Sequence, residues 1–131
     1  MVVESIAPLG HYVKEGQVLG PNYLTGTFVI DDNSAHDFKV DGRGKGRLSI
    51  GIENPGDQTL TVQVYGMHSA TANVDDIGVF PIGASWTVTD AQNRDYQVCN
   101  DPFPWYIVRV TPAAAATGSP TCTVYVDFSA F

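Results

Sequence analysis

The chain has 131 residues, only 16% of them charged, and a formal net charge of −7. That length suits one domain with a core of its own, and the acidic balance speaks against general nucleic-acid binding, which needs a basic face to displace counterions. No apolar run approaches the roughly 20 residues of a membrane helix, so no membrane span is expected.

Residues 1–22 lack clean periodicity. Pro8 interrupts a mildly apolar start, and Gly10, Gly16, Gly20 and Pro21 punctuate the rest of the segment. This reads as an extended N-terminal arm whose apolar members (Val2, Val3, Ile6, Val13, Val18 and Leu19) need a surface to lie on, either the chain's own sheet or a neighbouring subunit. Glu4, His11, Lys14 and Glu15 interrupt any signal-peptide apolar core. The expectation is therefore a protein made in a cytoplasm and not exported by the usual route.

From Tyr23 the apolar period becomes two, the mark of a strand with one buried face. Strands are expected over Tyr23–Ile30 and His36–Val40, separated by the turn-forming cluster Asp31-Asp32-Asn33-Ser34. Leu48, Ile50 and Ile52 then alternate with polar or small residues, and so do Leu60, Val62 and Val64. Between them stands Asn54-Pro55-Gly56-Asp57, where proline at the second position and glycine at the third suit a type II turn. The expectation there is a tight hairpin.

Met67–Gly83 reads as a long loop holding a short strand near Ile77–Pro81, followed by strands at Ser85–Thr89 and Asp95–Cys99. Pro102-Phe103-Pro104 is a rigid lead-in to a strand over Tyr106–Thr111. Pro112–Pro120 is a loop, and Cys122, Val124, Val126 and Phe128 share one face of the last strand. About eight short strands without an intervening helix define an all-β fold over 23–131. The architecture is an antiparallel β-sandwich or a jelly-roll or barrel-like relative of it.

Chemical motifs are sparse. Asp31, Asn33 and Asp37 start a calcium-loop spacing, but His36 stands where the sharp turn wants glycine and Gly42 where a bidentate glutamate is needed. An acidic turn is the better reading. Gly42-Arg43-Gly44-Lys45-Gly46-Arg47 contains a GxGxG run that leads into a strand and not a helix, so a dinucleotide fingerprint fails. Arg43, Lys45 and Arg47 read as a solvated strand entry or, more sharply, a basic prong for an acidic partner surface.

His11, His36 and His68 lie in separate segments without metal-ligand spacing, and no nucleophile elbow occurs. No cofactor is expected. Cys99 and Cys122 permit one disulfide, with buried free thiols the favoured state. Trp86 and Tyr106 have inward parity, whereas Trp105 and Ile107 share the opposite face with Arg109. That face suits protein contact, with sugar stacking on the aromatics as the rival use.

The loose arm Met1–Pro21, the β-rich body, the Leu48–Val64 segment with its Asn54-Pro55-Gly56-Asp57 turn, and the Pro104–Pro112 strand together resemble small structural proteins of tailed bacteriophages. The nearest likeness in style is to capsid decoration (cement) proteins. The resemblance implies a non-enzymatic virion protein assembled in the host cytoplasm, a homo-oligomer with a trimer favoured. Its partners would be its own copies and a major capsid protein, bound through the arm. The rival expectations are a carbohydrate- or surface-binding β-sandwich module, with an extracellular place, and an enzyme whose carboxylates meet only in the fold.

Overall fold

The computed structural model describes residues 23–43 and 46–129. The expected arm over 1–22, with Val2, Val3, Ile6, Val13, Val18 and Leu19, and also Lys45, lie outside the described residues. Eight strands succeed one another: β1 (Tyr23–Val29), β2 (His36–Asp41), β3 (Arg47–Glu53), β4 (Leu60–Met67), β5 (Val79–Val88), β6 (Arg94–Cys99), β7 (Trp105–Pro112) and β8 (Thr121–Ser129). They build two antiparallel sheets, β1-β8-β3-β6 (sheet A) and β2-β7-β4-β5 (sheet B).

The pairing is nested. β4 pairs with β5, β3 with β6, β2 with β7 and β1 with β8, and the roll is closed by β3 against β8 and β4 against β7. A long antiparallel ribbon rolled up in this way is a jelly roll, which narrows the expected all-β class to one topology.

Alternation explains the core. Leu48, Ile50 and Ile52 of β3 and Val124, Val126 and Phe128 of β8 face Leu60, Val62 and Val64 of β4 and Tyr106, Val108 and Val110 of β7. Each fully buried aliphatic side chain there contributes about 1.5–3 kcal/mol of transfer free energy.

The expected hairpin across Asn54-Pro55-Gly56-Asp57 is overturned. β3 and β4 belong to different sheets, so the segment is an arch that carries the chain from one sheet to the other. Gly56 is not among the residues with positive φ, which excludes the type II turn. Its missing side chain serves packing instead: a Cβ there would lie 2.8 Å from Ala116 Cβ and 3.2 Å from Pro120 Cγ. Asp57 clamps the same loop, accepting from Thr117 N–H at 3.0 Å and from its hydroxyl at 2.6 Å. These hydrogen bonds hold the Asp57 carboxyl below its usual range.

Asn54 organises the arch from within. Its side chain is 1% exposed. Nδ2 donates to Gln58 O at 2.7 Å and to Val88 O at 3.0 Å, while Oδ1 accepts from Gly56 N–H at 3.1 Å. The Asn54 N–H also donates to Asn93 O at 2.7 Å.

A second difference concerns β5. The expected pieces near Ile77–Pro81 and Ser85–Thr89 belong to one long strand whose register against β4 shifts between Val62 and Val64. Gly83 takes φ of +68° there, a left-handed conformation that disfavours other residues. The Gln63 Nε2 group bonds the Val64, Ile82 and Gly83 carbonyls that the irregularity leaves short of partners.

The edges of the sandwich differ. Between β1 and β2, Phe28 stacks on His36 with ring centroids 4.2 Å apart. Phe38 lies over Gly26, where a Cβ would come within 2.6 Å of its ring. Between β5 and β6 the sheets part around a cleft of about 370 Å³ lined by Ile82, Trp86, Gln97 and Cys99, among others. One end is plugged by Phe103, whose ring occupies the space a side chain at Gly66 would need. Tyr106 fixes that plug: its hydroxyl donates to Asp101 O at 2.8 Å and accepts from Phe103 N–H at 3.0 Å.

Candidate interaction surfaces

The residues singled out from sequence distribute over both sheets. On the outer face of sheet B, Asp41, Trp105 and Met67 stand in one row, Lys39, Ile107 and Tyr65 in the next, and Asp37, Arg109 and Gln63 in a third. Ile107 and Met67 are fully buried although they carry the outward parity of their strands. An antiparallel sheet with a free face is usually polar on that side, so this part of sheet B is built as a covered face.

Arg43 comes together with Trp105. Its guanidinium carbon lies 4.8 Å from the indole centroid, a cation–π contact. The same group forms a two-pronged ion pair with Asp41, at 3.0 and 2.7 Å. One face of the half-buried Trp105 ring is thereby covered.

Arg109 pairs with Asp37 across the β2–β7 register at 2.7 and 2.9 Å. That hydrogen-bonded carboxylate is the main cause of its raised pKa, and the nearby Asp75 adds to it. Arg47 is exposed at the start of β3 in sheet A. Arg43 and Arg47 thus serve different sheets, and Lys45 lies outside the described residues.

Both cysteines are free and buried. Burial pushes the Cys122 thiol up to about 12, and burial is also the main cause that raises Cys99. Since the thiolate is the reactive form, the native protein should leave Cys122 unmodified by Ellman's reagent at pH 8 over an hour. Denaturation should expose both thiols. A fast stoichiometric reaction of Cys122 in the native state would contradict this placement.

Two surfaces escaped the sequence reading. The first is a groove of about 520 Å³ on the outer face of sheet A, lined by Gly51, Ile52, Glu53, Arg94, Asp95, Tyr96 and Tyr125. Gly51 is in register with Tyr96 on one side and Tyr125 on the other. Tyr96 is 67% exposed and Tyr125 is 37% exposed. The Tyr125 hydroxyl donates to Glu53 Oε1, and Glu53 stands opposite Arg94 in the ladder.

The second is the tip of the β4–β5 loop. Asn73 N–H donates to Asp76 Oδ2 at 2.8 Å, Asp76 N–H to Asn73 O at 2.9 Å, and Val79 N–H to Asp76 O at 3.3 Å. Gly78 adopts φ of +90°. These constraints hold out Ile77, which is fully exposed, and Phe80, which is half-exposed beside Phe103 at a centroid distance of 6.4 Å. The outward apolar residues Ile77, Tyr96 and Tyr125 were visible in the sequence, but which neighbours they meet depends on pairings between distant segments.

No protein-family model matches the chain, and no curated protein matches it. Among solved structures, the crystal structure of the mitogen derived from Yersinia pseudotuberculosis is similar over 85% of this chain and 87% of its own, with a TM-score of 0.54 and 16% identity. IMPa from Pseudomonas aeruginosa, solved in complex with an O-glycopeptide, is similar over 82% of this chain but 12% of its own length, with a TM-score of 0.47 and 18% identity. At such identities the mitogen likeness bears on the fold, a β-type architecture, and on nothing further.

Proposed function

We propose that this β-sandwich module is a non-enzymatic structural subunit of a virion, a capsid-decorating or head–tail accessory protein that binds neighbouring protein subunits. The observation that carries the reading is Ile77, a large aliphatic side chain held wholly in solvent on a hydrogen-bonded loop tip. Scattered exposed apolar residues are ordinary. A preorganised one is different, because docking it into a partner pocket costs little ordering entropy. Phe80 beside it extends the apolar tip.

The layout resembling phage decoration proteins supports the virion setting. The jelly-roll topology agrees with that setting, since viral capsid domains use it often. Among the described residues, both histidines and both thiols have structural places: His36 stacks on Phe28, His68 lies against Phe103, and Cys99 and Cys122 are buried.

The partners in this reading are further copies of the chain, with a trimer favoured, and a major capsid protein. The test is Ile77→Asp in the full chain, compared with the parent by light scattering and by cosedimentation with virus particles that lack the protein. The parent should be a trimer and should sediment with the particles. The variant should keep its thermal midpoint within about 2 °C, as exposed substitutions do, and lose at least tenfold in particle binding. A monomeric parent that does not sediment, or a variant that binds like the parent, would sink the proposal.

A further inference from the structure

We infer that the groove on the outer face of sheet A is a binding site for a neutral pyranose unit of an oligosaccharide, gripped between Tyr96 and Tyr125 above Gly51. This goes beyond the subunit contacts at the β4–β5 tip and uses a different face of the molecule.

The geometry begins with the register. Tyr96 on β6 and Tyr125 on β8 both stand opposite Gly51 of the intervening β3. Two interstrand steps of about 4.8 Å separate their backbones by roughly 10 Å. Gly51 contributes no side chain, so the floor between the rings is backbone. A Cβ added there would lie 3.7 Å from Tyr125 Cβ and 3.9 Å from its Cδ2, in ordinary contact. The volume of about 520 Å³ falls within the range of roughly 300–1,000 Å³ typical of small-ligand sites.

The chemistry of the rim chooses the ligand. Glu53 and Arg94, opposite each other in the β3–β6 ladder, share the outer face with the two rings and line the groove beside them. The buried centre of a protein interface is depleted of charged residues, so an apolar protein patch is a poor match for this surface. A pyranose needs both kinds of group at once. Its axial C–H faces lie flat on aromatic rings, and its vicinal hydroxyls donate to a carboxylate and accept from a guanidinium. One carboxylate, Glu53, and one guanidinium, Arg94, leave the rim without net charge, which favours a neutral sugar over an acidic one.

Trp105 on sheet B offers a poorer platform, because the Arg43 guanidinium already covers one face of its ring. Tyr96, 67% exposed, offers a sugar more open ring surface than Trp105 does.

The experiment is an NMR titration of the full chain, labelled with ¹⁵N, with cellohexaose, maltohexaose, chitohexaose and mannohexaose in turn. At least one should give saturable shifts centred on Gly51, Glu53, Arg94, Tyr96 and Tyr125. Tyr96→Ala should weaken that binding at least tenfold with the thermal midpoint unchanged, since the ring is largely exposed. Arg94→Ala should weaken it several-fold. Neither substitution should change oligomeric state or particle binding, so failure here is separable from failure of the subunit-contact proposal. The inference is overturned if none of the four sugars gives saturable shifts, if the shifts map elsewhere, or if Tyr96→Ala binds like the parent.

Discussion

Replacing Asn54 by alanine should lower the unfolding free energy by about 3 kcal/mol, the largest loss expected from removing one polar side chain in this protein. The side chain is 1% exposed and makes three hydrogen bonds: Nδ2 to the Gln58 and Val88 carbonyls and Oδ1 from the Gly56 N–H. Each bond contributes about 1 kcal/mol net, and the Val88 carbonyl, left in the interior without its donor, adds a desolvation cost. For a domain of this size the thermal midpoint should fall by roughly 10 °C.

Asn54→Asp sharpens the test. The carboxylate keeps the acceptor facing Gly56 but turns two donor positions into charge facing carbonyl oxygens, so at pH 7 this variant should be at least as unstable as Asn54→Ala. Lowering the pH lets the carboxyl protonate and donate to one of those carbonyls, which should narrow the gap between the two variants. Urea unfolding at pH 7 and pH 4 measures both. A loss under 1 kcal/mol for Asn54→Ala would show that the arch is held mainly by the packing of Gly56 against Ala116 and Pro120.

Gly66→Ala should cost about 3 kcal/mol, at the upper end of what overpacking usually does. A Cβ at Gly66 would lie 2.3–2.6 Å from three atoms of the Phe103 ring, so the ring must leave its place. Leaving it disturbs the edge contact with Tyr106 at 6.3 Å and the stack with Phe80. It also strains the segment that Tyr106 holds through Asp101 O and Phe103 N–H.

A double-mutant cycle isolates this cause. Phe103→Ala alone should cost about 2 kcal/mol, below the range for a fully buried ring. In that background Gly66→Ala should be close to neutral, because the space is vacant and alanine restricts the unfolded chain more than glycine does. If Gly66→Ala costs as much without the Phe103 ring as with it, the steric account is wrong.

How far the sequence reveals this fold depends on the range of the interaction concerned. Alternation at Leu48, Ile50 and Ile52, or at Cys122, Val124 and Val126, reports a strand with one dry face, because the pleat has period two wherever the partner strand lies. It does not report which sheet the strand joins. β3 and β4 have the pattern and the turn residues of a hairpin, yet they pair with β6, β8, β5 and β7. Gly56 was legible as a necessary glycine, and the reason lay in Ala116 and Pro120, about sixty residues away.

The interaction surfaces show the same division. Trp105, Ile107 and Arg109 were grouped correctly on one face by parity, but their partners Arg43, Tyr65 and Asp37 come from β4, from β2 and from the segment after it. Tyr96 and Tyr125 stand about thirty positions apart in sequence and meet only across Gly51. No local pattern marks such a pair.

The nested pairing has one further consequence, for how the body is wired to whatever flanks it. Because β1 runs antiparallel to β8 with Tyr23 opposite Asp127, the body's first and last strands begin and finish about 5 Å apart at one corner of sheet A. A short linker there could join residues 129 and 23 while fresh ends were cut into the β4–β5 loop, leaving every rung of both ladders in place. The same closeness means that anything carried before Tyr23 and anything carried after Ser129 leave the body side by side. Both points at which the body joins its flanks therefore lie at one corner, and neither lies at the opposite one.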